Sequence, residues 1–188
     1  MTDTTALTPG EIAKIAARID RPVVLVGLMG VGKSTVGRKL ATLLGTDFVD
    51  VDDEIERAAD RTVSEIFEAH GEAYFRAGER RVIARLMEEA HGVIATGGGA
   101  FVDPETRALI LDQAIAVWLD CDIDTLVERT SRRNDRPLLR NGNAREILTD
   151  LKDKRGAAYA EAQIHLVTDD GPHSETAQRI LEAIDAWL

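Results

Sequence analysis

Short apolar runs recur along the chain at Val23–Gly27, Phe48–Val51, Gly92–Ala95, Ile115–Leu119 and Ile164–Val167. Each has the length of a strand, and stretches with apolar residues at helical spacing fill most of the gaps between them. This alternation predicts parallel βαβ units. The runs are nearly continuous rather than alternating with polar residues, so the sheet is expected to be covered on both faces. The reading is therefore α/β with a five-stranded parallel sheet, without repeats or low-complexity segments. Two regions are too long to be simple connections. Asp52–His91 is mostly helical in pattern, and Thr130–Gln163 opens with the polar stretch Ser131–Pro137, SRRNDRP.

Upstream of the first strand, Thr8 followed by Glu11 makes a capping-box pattern, and Pro9 falls at the first helical position. Ile12, Ile15, Ala16 and Ile19 then recur at helical spacing. Residues 1–20 are expected to form an extension helix packed on the outside of a single domain at 21–188.

Composition narrows the classes of function. A chain of 188 residues, 44% apolar and 30% charged, suits one soluble domain with a sizeable core. Its net charge of −10 argues against a nucleic-acid partner, which needs a basic face. A small anionic substrate is still compatible, because it feels local arginines. The lone Cys121 excludes an internal disulfide and fits a reducing cytosol. The sequence contains neither a long apolar span nor a basic-then-apolar leader, so the expectation is a cytoplasmic protein without a membrane partner.

The densest chemistry follows the first strand. Gly27, Gly32, Lys33 and Ser34 complete the spacing G-x-x-x-x-G-K-S. Glycines allow successive backbone N–H groups to turn inward around an anion. The helix expected from Lys33 to about Leu44 points its positive end at the same place. Lys33 supplies a charge for the β- and γ-phosphates, and Ser34 supplies a hydroxyl for Mg²⁺. A plain strand-to-helix turn would need none of this set. The loop predicts a nucleoside triphosphate with Mg²⁺ and leaves the fate of the phosphate open.

In this architecture ligands bind beyond the carboxyl ends of the strands. After the second strand stand Asp50, Asp52 and Asp53. Strand alternation would put Asp50 and Asp52 on one face, where one carboxylate could hold a metal and the other accept a hydrogen bond from an attacking hydroxyl. Asp53 is assigned the blander task of capping a helix at Glu54–Ala59. After the third strand, Gly97, Gly98 and Gly99 suit either a ligand approached by backbone or a flexible turn. Arg76 is one of four arginines in a helical region, and position alone does not single it out. Arg136 lies in a polar loop able to fold over phosphates, and Arg155 reads by default as part of a solvated Lys154–Arg155 face.

Six blocks in order, GLMGVGKSTVGRKLA, DVDDEIE, FRAGERR, TGGGA, RPLL and KRGAAY, resemble the shikimate kinase family over Val23 to Tyr159. The resemblance implies a P-loop, three-layer α/β/α fold with a helical substrate-binding region (about 52–91) and a mobile lid (about 132–143). It implies ATP-dependent phosphorylation of the 3-hydroxyl of shikimate in aromatic amino-acid biosynthesis. A monomer is expected. By position, Gly30, Val31, Gly32, Lys33, Ser34 and Thr35 would hold ATP with Arg136 over its phosphates. Ser34 and Asp50 would serve Mg²⁺. Asp52 would bind the substrate hydroxyls as base, and Arg76, Arg155 and the glycines 97–99 would hold the substrate, the arginines on its carboxylate. The chain departs from the family pattern at Ala157, which replaces a proline, and at Gln163-Ile164. Thr168–His173 gives no residue-level adenine contact. The rival readings are a sugar-acid kinase of the gluconate type and a catalytically silent nucleotide-binding module.

Overall fold

The computed structural model describes residues 6–132 and 142–188. Its five strands, β1 (Val23–Val26), β2 (Phe48–Asp50), β3 (Val93–Ala95), β4 (Ile115–Asp120) and β5 (Ile164–Val167), form one sheet ordered β2-β3-β1-β4-β5. All pairings are parallel. β1 lies at the centre, and its four residues VVLV are each 0% exposed. Such burial requires cover on both faces, and the uninterrupted apolar run supplies it. β5 lies at an edge. Ile164 and Leu166 point inward there, while His165 and Val167 are exposed.

Helices pack around this sheet. α2 (Lys33–Leu44) follows β1 and packs on α8 (His173–Trp187). α3 (Val51–Ala59) and α4 (Val63–Glu88) fill the long region between β2 and β3. α4 bends at Gly71, whose φ of 80° is non-helical. α5 (Pro104–Gln113) precedes β4, and α6 (Ile123–Ser131) and α7 (Ala144–Tyr159) lie between β4 and β5. Among the described residues no helix is long and apolar enough to cross a membrane.

α1 (Pro9–Arg18) carries the anticipated capping box. The Glu11 N–H donates to Thr8 Oγ1 at 3.3 Å, and the Thr8 N–H donates to Glu11 Oε2 at 2.7 Å. Its apolar side rests on α2 and α8, Arg18 pairs with Asp185, and Ile15 joins the main core at 5% exposure. This packing links α1 to stability and leaves it away from the carboxyl ends of the strands. Ile15→Ala is expected to destabilise by roughly 2–4 kcal/mol. A chain beginning at Asp20 should melt at lower temperature yet keep its turnover number below that melting point. Calorimetry alongside kinetics checks both, and a folded but inactive truncation would contradict the separation.

Candidate active site

The winding of the sheet reverses at β1, and a crevice opens at the carboxyl ends of β1 and β3. The phosphate loop leaves β1 here. Gly32, in the left-handed region at φ 98°, caps α2 without a side chain, and Lys33 and Ser34 are the first helical residues. This leaves the first backbone N–H groups of the helix directed toward the loop. Lys33 Nζ reaches back across the loop and donates to the carbonyls of Gly27 (2.8 Å) and Leu28 (2.9 Å). Gly30 and Val31 lie in the turn, with Val31 buried beneath it, and Thr35 is the third residue of α2. Arg129 on α6 donates to the Val31 carbonyl at 3.3 Å and to the Asp169 carbonyl at 2.9 Å. It thereby ties the loop to the segment after β5, a role that a charged residue on an amphipathic helix does not advertise.

The end of β2 differs from the strand alternation expected for it. The strand stops at Asp50 and α3 begins at Val51, so Asp50 and Asp52 do not share a strand face. Asp50, not Asp53, is the cap. With extended φ and ψ of −98° and 124°, it accepts a hydrogen bond from the Asp52 N–H at 3.0 Å through Oδ1. Its Oδ2 accepts from Ser34 Oγ at 2.5 Å. Capping satisfies an otherwise orphaned helical N–H, and the earliest aspartate in the run takes the position. Asp53, one turn further on, is exposed. Asp52 is at the second helical position and faces the crevice. Burial raises its pKa to about 6, Asp50 adds repulsion, and Lys33 and Arg76 oppose the rise.

The glycine triplet follows β3. Thr96 anchors it by donating both its N–H (3.1 Å) and its hydroxyl (3.0 Å) to the Leu25 carbonyl of β1. Side chains from three elements then crowd the glycines. A Cβ on Gly97 would lie 2.9 Å from Asp52 Oδ1, and one on Gly98 would lie 3.1 Å from Arg155 Nη1. One on Gly99 would lie 2.1 Å from Arg76 Nη2. The glycines therefore let these charged groups approach the backbone closely, and a side chain at any of the three would have to displace them. Arg155 turns away from exposed Lys154 and is half-buried beside Gly98, so it is no part of a solvated face.

Glu79, which sequence reasoning passed over, explains why Arg76 is singled out. Arg76 Nη1 donates to Glu79 Oε1 at 2.7 Å, and Glu79 is 0% exposed. Its Oε2 has no hydrogen-bond partner among the described residues and would lie 3.3 Å from a Cβ on Gly97. Burial raises the Glu79 pKa to about 7, against the pull of Arg76. The available signal was the i,i+3 spacing within FRAGE, which places a carboxylate beside the arginine on one helix face. Tyr159 was also passed over, and its buried hydroxyl donates to the Gly98 carbonyl.

The arrangement joins an anion-binding loop, a buried carboxylate and two guanidinium groups around backbone that lacks side chains. It can hold a polyphosphate beside a small carboxylated alcohol and accept a proton from the alcohol. Ser34 and Asp50 offer oxygen donors of the kind Mg²⁺ prefers. Among the described residues no three His, Cys, Asp or Glu side chains could cage a metal. Arg136 and the core of the expected lid fall within 133–141, outside the described residues.

A family model described as shikimate kinase matches residues 29–185. A shikimate kinase of Novosphingobium aromaticivorans is 60% identical over 190 residues, covering 99% of this chain and 98% of its own. The structure of a shikimate kinase from Acinetobacter baumannii in complex with shikimate superposes with a TM-score of 0.87 at 39% identity, covering 93% of this chain and 97% of that one. A gluconokinase from Sinorhizobium meliloti shares the fold alone, with a TM-score of 0.56 at 16% identity over 90% of this chain and 94% of its own. With the family model spanning most of the sequence and a relative matching it nearly end to end, the chain belongs to the shikimate kinase family.

Proposed function

We propose that the protein transfers the γ-phosphoryl group of ATP to the 3-hydroxyl of shikimate, giving shikimate 3-phosphate and ADP on the route to aromatic amino acids. The observation that carries this reading is the convergence of Asp52, Arg76 and Arg155 on the glycine triplet, one strand away from the phosphate loop. A carboxylated polyol needs cations at one end and a carboxylate at the hydroxyl end, and the crevice supplies both.

Each group then has a task. The backbone from Gly30 to Thr35 and the Lys33 ammonium hold the phosphates, and Arg136 closes over them. Ser34 and Asp50 hold Mg²⁺, which when bound neutralises phosphate charge. Arg76 and Arg155 grip the substrate carboxylate, with Gly97, Gly98 and Gly99 giving backbone contacts. Guanidinium suits this because its planar fork can take a carboxylate bidentately. Asp52 orients the 3-hydroxyl and accepts its proton as the oxygen bonds to the γ-phosphorus. The bond to the bridging oxygen breaks, and ADP leaves. A base with a pKa of about 6 is mostly ionised at neutral pH yet still a useful acceptor. Residues 21–188 form the kinase unit, with 1–20 as its extension, and it works as a cytoplasmic monomer.

A steady-state assay with ATP, Mg²⁺ and shikimate tests the reading, and absence of shikimate-dependent ADP release would overturn it. Lys33→Ala should nearly abolish turnover with the fold intact by circular dichroism.

For Asp52→Asn, kcat is expected to fall by about 10²–10⁴, with little change in ATP affinity. The wild type should gain kcat/KM as pH rises through about 6, because Asp52 must be deprotonated to accept a proton. The variant should lose that limb. A retained limb would move the base elsewhere.

Arg76→Lys and Arg155→Lys should each lower kcat/KM for shikimate by about tenfold to a hundredfold, with much less effect on background ATP hydrolysis. Equal loss in both reactions would assign these arginines to the nucleotide or the fold.

A further inference from the structure

Tyr159 is the bulkiest fully buried side chain among the described residues, at 1% exposure. It ends α7, four residues after Arg155, so the two side chains share a helix face. Its ring centroid lies 5.8 Å from that of Trp118, which stacks on His165 at 3.9 Å. Asp120 Oδ2 lies 3.2 Å from His165 Nε2. Phenylalanine would fill such a slot without the need to satisfy a hydroxyl. Here the hydroxyl donates to the Gly98 carbonyl, at the centre of the triplet. The Arg155 guanidinium lies close enough to the same hydroxyl to oppose the upward push of burial on its pKa.

A peptide group is planar, so fixing the Gly98 carbonyl also fixes the Gly99 N–H on the opposite side. A run of three glycines has the most backbone freedom of any tripeptide and gains the most order from one fixed peptide. The phenol thus bonds the triplet directly and lies on the same helix face as Arg155, whose Nη1 would be 3.1 Å from a Cβ on Gly98, and its ring packs against Trp118.

We infer that Tyr159 is a positioning residue: its hydroxyl sets the Gly98–Gly99 peptide and Arg155 in the geometry that receives the substrate's carboxylate. This rests on the assignment of Arg155 and the triplet to that carboxylate. The residue touches no reacting atom, and its effect passes through its neighbours.

Tyr159→Phe removes the hydroxyl and keeps the ring, and the full chain can be compared with wild type by kinetics, calorimetry and thermal melting. The KM for shikimate should rise about five- to tenfold, the loss expected from one hydrogen bond. The KM for ATP and background ATP hydrolysis should stay close to wild type, and the melting temperature should fall by only a few degrees. An analogue whose carboxylate is reduced to hydroxymethyl should bind wild type and Tyr159→Phe with equal affinity by calorimetry. Unchanged shikimate KM, or equal weakening toward shikimate and the analogue, would overturn the positioning role. Failure of the wild type to turn over shikimate would instead overturn the substrate reading.

Discussion

The two oxygens of Asp50 set the geometry on which the rest of the site depends. One caps α3 through the Asp52 N–H, and the other accepts the Ser34 hydroxyl at the start of α2. A cap of this kind contributes about 1 kcal/mol, and a hydrogen bond to a charged group about 1.5–3 kcal/mol. The positional consequence outweighs either figure. The cap forces β2 to end abruptly, so Asp52 leaves the strand and enters the crevice on a helical turn. The second bond locks that turn to α2, the helix that follows the phosphate loop. The start of α2 and the Asp52 turn are thus braced by a single side chain.

Charge in the crevice follows a different logic from charge on the surface. The chain is strongly acidic, at −10, yet the crevice brings Lys33, Arg76 and Arg155 together. Two carboxyl groups face them, and burial weakens the acidity of both. An unpaired buried oxygen costs about 1–3 kcal/mol, so Glu79 Oε2 is a destabilising feature in isolation. The same residue holds the Arg76 guanidinium toward Gly99, and that placement is the compensating gain. Local instability of this kind is characteristic of working sites.

Much of this was legible in the sequence. Short apolar runs located all five strands: β1 and β3 are buried at every residue, as double cover requires, whereas edge strand β5 alternates buried and exposed positions. The phosphate loop declared itself because glycine, lysine and serine are required there in fixed order. The α1 cap was readable because capping is local. The misplacement of the β2 end had a physical cause: three aspartates in four residues are each competent caps, and only the backbone path decides among them. Glu79, Tyr159 and Arg129 were passed over for another reason. Their partners are a carbonyl or a guanidinium brought near by packing, and those of Tyr159 and Arg129 are far away in sequence. Glu79 is the partial exception, since its partner lies on the same helix.

The sheet itself supplies the distance that phosphoryl transfer requires. β1 carries the phosphate loop and β3 carries the triplet, and the two strands are direct neighbours. Strand spacing of about 4.8 Å is among the least variable lengths in a protein. Thr96 fastens the triplet to the Leu25 carbonyl, and a Cβ on Gly98 would lie 3.6 Å from the Met29 nitrogen of the phosphate loop. The phosphate loop and the glycine triplet therefore sit one strand apart, with no hinge between them among these contacts. An in-line transfer needs reacting atoms within about 3–3.5 Å, and misplacement by 1 Å can cost about a hundredfold in rate. A rigid element is required to hold such a separation. The backbone hydrogen bonds between β1 and β3 set it before any ligand arrives, which is why the glycines belong at the end of β3.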